Sequence, residues 1–114
     1  MDSEDLVTEF LLGLGYVDTS GITDPEELRS FAGRKRFCVY NSMFTTGNYS
    51  IVTEWGLKYE MCCDWRSGPY FFLTNKNPEY KNWRSVSFNL YEPDSLKKLK
   101  MLLEAKDVTW YGEK

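Results

Sequence analysis

Leu57-Lys58-Tyr59-Glu60-Met61-Cys62-Cys63-Asp64 is the stretch that decides the fold. In an extended chain Leu57, Tyr59, Met61 and Cys63 fall on one face and Lys58, Glu60, Cys62 and Asp64 on the other, because successive side chains of a strand point to opposite sides. One face reads as buried and the other as wet. Trp55-Gly56 before it and Arg66-Ser67-Gly68-Pro69 after it stand where antiparallel hairpins need residues that tolerate unusual backbone angles. Working outward, the region after Gly33 consists of β-branched and aromatic runs broken by Gly, Asn and Pro, which predicts short strands near 36–41, 49–54, 57–64, 70–74 and 84–91. Residues 75–82 form a longer polar connection.

Helical periodicity brackets these strands. Leu6, Val7, Phe10, Leu11 and Leu14 recur at the spacing of one apolar helix face, with Ser3 as N-cap and Gly13 and Gly15 as the stop. Asp24-Pro25-Glu26-Glu27 predicts a second, short helix to Ala32, with Asp24 capping, Pro25 in the first helical position and Glu27 reaching back as in a capping box. Pro93 opens a third, whose Leu96, Leu99, Leu102 and Leu103 oppose Lys97, Lys98 and Lys100. Val108–Tyr111 reads as a final edge strand. The expectation is a single α+β domain over residues 1–114: an antiparallel meander of about five strands, flanked by N-terminal and C-terminal helices on one side.

Composition supports this and removes several functions. At 114 residues, 42% of them hydrophobic, the chain is of a size to fold around one core without staples. It has no histidine, so Ser-His-Asp and Cys-His catalysis are excluded. Three cysteines, Cys38, Cys62 and Cys63, are too few for a four-thiolate zinc site. No metal or other cofactor is expected. Their odd number, and a start at Met1-Asp2-Ser3-Glu4-Asp5 rather than a basic, apolar leader, point to a cytoplasmic protein with free thiols and no membrane segment. The sequon Asn48-Tyr49-Ser50 then reads as coincidence.

The charge is distributed unevenly. Residues 1–28 hold Asp2, Glu4, Asp5, Glu9, Asp18, Asp24, Glu26 and Glu27 with no base, while the other 86 residues hold nine acids and fourteen bases, so −8 and +5 make up the overall −3. Such a surface would steer a basic partner, although acids also favour the first turns of helices for purely local reasons. Aromatic residues make up 17% of the chain, and Trp55, Trp65 and Trp83 fall near turns, two of them in the pairs Trp65-Arg66 and Trp83-Arg84. Trp and Arg are enriched in interface hot spots, while the same rings could also cap the ends of the core.

These features lead to one expected function and two alternatives. The first is a non-enzymatic protein-protein interaction module, a small inhibitor or neutralising protein. It would act through an acidic surface (Glu4, Asp5, Glu9, Asp24, Glu26, Glu27) and aromatic and arginine loops (Trp55, Trp65, Arg66, Trp83, Arg84) on a protein partner with a basic surface. Toxin-neutralising immunity proteins and phage-encoded inhibitors of bacterial defence are the class-level analogy, which no motif carries. The second is a binder of single-stranded nucleic acid or nucleotide, using Arg34, Lys35, Arg36 and Tyr40 with Lys58, Lys76, Lys81 and Arg84, and bases stacked on exposed Tyr59, Phe71 and Tyr80. It lacks an RNP1 pattern and any overall basic excess. The third is a histidine-free enzyme using Glu54, Glu60, Asp64 or a tyrosine, for which the spacing picks out no dyad.

Overall fold

The computed structural model describes residues 3–41, 45–64, 70–79 and 85–108. The elements follow in the order α1 (Ser3–Gly13), β1 (Val17–Asp18), α2 (Pro25–Arg29), β2 (Arg36–Tyr40), β3 (Thr45–Val52), β4 (Lys58–Asp64), β5 (Tyr70–Asn75), β6 (Ser85–Asn89) and α3 (Pro93–Glu104). The strands form one six-stranded sheet in chain order. From β2 to β6 it is the antiparallel meander that the hairpin signals predict. β1, which two residues are too few to announce by alternation, joins β2 in parallel after the α2 crossover.

Alternation in β4 carries through the sheet. Phe37, Tyr49, Ile51, Tyr59, Met61, Phe71, Leu73 and Phe88 bury one face and meet Val7 and Leu11 of α1 and Leu99, Leu102 and Leu103 of α3 in a single cluster. The stacking role expected for Tyr59 and Phe71 is thereby corrected: they are 1% and 0% exposed, because their parity places them with Met61 and Leu73 on the covered face. The other face is open. Register aligns Cys38, Ser50, Glu60, Thr74 and Ser85 across it, with Arg36, Val52 and Lys58 in the row toward one end and Cys62, Phe72 and Ser87 toward the other.

Local signals set the element ends. α1 stops because Tyr16 N donates to Leu11 O and Gly15 N to Leu12 O, a Schellman closure that needs the left-handed conformation Gly15 adopts, φ 91°. β3 starts four residues before the expected point because Gly47 does not break it. Residues 47 and 48 form a bulge opposite Cys62, where Gly47 takes φ 66° and its N–H donates to Asn41 Oδ1 at 3.2 Å. Asn48 is 3% exposed, so its sequon is closed to a glycan. β3 ends at Val52 because Thr53 turns the chain: its Oγ1 accepts from Trp55 N and Leu57 N, each at 3.2 Å. Of the expected edge strand at Val108–Tyr111, Val108 is a buried residue in a bend, and the rest lies outside the described residues.

Beyond β5 the chain continues on side-chain bonds. Asn77 Oδ1 accepts from Lys58 N at 2.8 Å, while its Nδ2 donates to Lys58 O at 2.9 Å and Asn75 Oδ1 at 2.8 Å. The buried amide thus imitates a ladder residue opposite the first residue of β4.

Candidate functional site

α2 sits on a surface excursion between β1 and β2 that adds little to the core. Every residue from Thr23 to Ser30 is exposed and α2 buries no side chain. Five residues cannot hold a helix by propensity alone, so the ends do it: Asp24 Oδ1 accepts from Glu26 N at 3.0 Å, Ser30 Oγ donates to Glu27 O, and Pro25 takes the first position. The expected capping box does not form: Asp24 accepts from Glu26 N at the second helical position rather than from Glu27 N, and among the described residues no return bond comes from Glu27. Glu26 meets Arg29 at 3.9 Å, with both side chains largely in water, a pair that contributes little to stability. The turn therefore presents Asp24, Glu26 and Glu27 to solvent beside Leu28, which is 40% exposed.

The other expected acids stand apart. Glu9 is exposed on α1, which has no substantial packing against α2 among the described residues. Glu4 and Asp5 belong to the first turn of α1, with side chains outside the described residues. Trp65, Arg66, Trp83 and Arg84 lie outside them too, as do Tyr80 and Lys81.

Trp55 is described, and its indole is anchored. It lies in the β3–β4 turn, 47% exposed, with Nε1–H donating to the Glu104 carbonyl at 3.0 Å. That carbonyl belongs to the last turn of α3, where helical acceptors run out of donors. Lys106 Nζ stands 5.1 Å from the centre of the Trp55 ring. Below this corner, Tyr16 is buried, and its hydroxyl is held well above its ordinary pKa by burial first, then by the Glu54 and Glu104 carboxylates and Tyr59.

The expected basic patch is dispersed by its own contacts. Lys35 turns inward, with Nζ donating to Leu14 O at 2.5 Å and lying 5.3 Å from the Tyr16 ring centre. Arg34 covers Phe31 at 5.4 Å, and Arg36 Nη1 donates to the carbonyls of Phe31 at 3.3 Å and Arg34 at 3.0 Å. Tyr40 stands at the far end of β2 on the open face, its hydroxyl donating to Glu60. Partial burial and that bond raise its pKa above the usual range, with Cys62 and Cys38 adding to the effect. Strand parity, which carried Tyr59 and Phe71 inside, leaves Tyr70 and Phe72 on this face with Tyr40; the alternation could have found them.

Among the described residues, no group of three or more Cys, Asp or Glu is placed to hold a metal ion, and no helix is long and apolar enough to cross a membrane. Cys38 and Cys62 are both half-buried. Fold and surface together define an α+β protein with one covered and one open sheet face and an acidic projection. No protein-family profile, curated protein or solved structure matches the chain.

Proposed function

We propose that this protein is a non-enzymatic binding module of the cytoplasm, an inhibitor or neutralising protein that docks on a partner with a basic surface through the α2 projection. The observation that carries the reading is that residues 23–30 are exposed throughout yet held in shape by caps and a proline. Ordering such a segment costs conformational entropy, and here little core burial offsets it. A shaped acidic turn with an exposed leucine beside it suits recognition: the carboxylates speed encounter and select against acidic surfaces, and Leu28 supplies apolar area at the contact. The exposed Trp55 gives a second contact of the type enriched in hot spots.

The test is recovery of a partner from native lysate on immobilised protein, compared with Glu26→Lys/Glu27→Lys. Recovery should drop in the variant and fall with added salt in the wild type. Equal recovery by both proteins would remove α2 as the contact.

One observation favours a second reading. The open face aligns Arg36 with Lys58 through Val52 and carries Tyr40, Tyr70 and Phe72, the residue types on which single-stranded nucleic acid stacks and neutralises its phosphates. Glu60, in the middle of that face, opposes it. Oligonucleotide binding at low salt, weakened by Lys58→Ala, would support this reading; no binding there would end it.

A further inference from the structure

We infer that the exposed face of Trp55 is a docking site for an alkylammonium group, and that its occupant in a complex is a lysine side chain of the basic protein partner. The inference rests on the protein-binding reading above and names the chemistry of its second contact. Three features converge on the ring. The indole is oriented by its edge: Nε1–H is committed to the Glu104 carbonyl at 3.0 Å, which fixes the ring while about half of the residue remains in solvent. The site is electronegative. α3 has no basic residue in its last turn, so the negative end of its dipole lies beside the ring that the Glu104 carbonyl holds. Finally, an ammonium already occupies it. Lys106, just past the end of α3, places Nζ 5.1 Å from the ring centre, within the distance at which an aromatic face attracts a cation.

Lys106 is a weakly held occupant. It is exposed, its stem is long and flexible, and a cation over an exposed ring gains little over one in water. A partner lysine carried by a surface that also meets α2 arrives without the entropic cost of a free ligand, so it displaces Lys106 into solvent and inherits the Trp55 face and the helix end.

The experiment needs no partner, so its failure is distinguishable from failure of the α2 contact. Full-length protein is titrated with tetramethylammonium chloride and with Nα-acetyl-lysine methylamide, against sodium chloride at equal ionic strength, and the Trp55 indole N–H and Gly56 amide are followed by NMR. Saturable shifts are expected for both probes and not for sodium, and Lys106→Ala should tighten apparent affinity about 2- to 5-fold by removing the internal competitor. In Trp55→Leu, with its fold checked by circular dichroism, the Gly56 shift should disappear. Absence of a saturable shift in both wild type and Lys106→Ala up to about 100 mM probe, or identical affinities in the two, would overturn the inference.

Discussion

Asn77→Ala tests how the sheet is held beyond the last residue of β5. The wild-type amide is 3% exposed and makes three hydrogen bonds of 2.8–2.9 Å, two to the backbone of Lys58 and one to Asn75 Oδ1. At about 1 kcal/mol net for each bond, their loss amounts to about 3 kcal/mol. Two acceptors keep a partner, since Lys58 O still receives Lys76 N at 3.0 Å and Asn75 Oδ1 still receives Asn77 N at 2.9 Å. Only the Lys58 N–H is orphaned, and Lys58 is exposed, so water can reach its neighbourhood. The expected cost is therefore about 2–3 kcal/mol, or a fall of roughly 8–12 °C in Tm for a chain of this length. Urea unfolding should show a lowered midpoint at unchanged slope, and native-state hydrogen exchange should show the Lys58 amide losing protection ahead of the Met61 amide in mid-strand. Asn77→Asp keeps the acceptor but sets oxygen against oxygen at the other two bonds, so it should cost at least as much. A loss below about 0.5 kcal/mol for Asn77→Ala, typical of a surface site, would refute the reasoning.

Three further outcomes follow from the structure. Gly15→Ala should cost about 1–2 kcal/mol in urea unfolding, because φ is 91° and the new methyl would stand 3.2 Å from Lys35 Cε; an unchanged midpoint would contradict the Schellman closure. Tyr49→Phe keeps the ring contacts to Phe37 and Phe71 and removes the 2.8 Å bond to Thr8 Oγ1 that ties α1 to β3, so it should cost about 1 kcal/mol, against about 3–5 for Tyr49→Ala; equal losses would show that packing is not the larger part. Tyr16 has a raised pKa through burial, Glu54 and Glu104, so above about pH 10 the unfolded chain has lost a proton that the folded chain retains, and stability falls as pH rises further. Tyr16→Phe should flatten that fall between about pH 9 and pH 11 in paired urea titrations, and parallel curves for the two proteins would refute the assignment.

The stripes Leu6–Leu14 and Leu96–Leu103, the alternation of Leu57–Met61 and the turn at Trp55-Gly56 are local patterns. Because periodicities of 3.6 and 2 describe which side chains share a face whatever the rest of the chain does, α1, α3 and the meander were legible from residues alone. Strand parity was equally legible, and it overrides the stacking role expected of Tyr59 and Phe71. What tertiary structure alone decided lies in contacts between distant residues. Val17-Asp18 becomes a strand only because β2 lies beside it. Lys35, part of a basic run in sequence, is drawn inward by a carbonyl 21 residues away. Trp55 reads locally as an exposed ring, yet its orientation depends on Glu104, 49 residues on, and its bound ammonium on Lys106. A side chain's hydrogen-bonding and charge partners are chosen by what folding places within a few ångströms, and linear spacing carries no record of that distance.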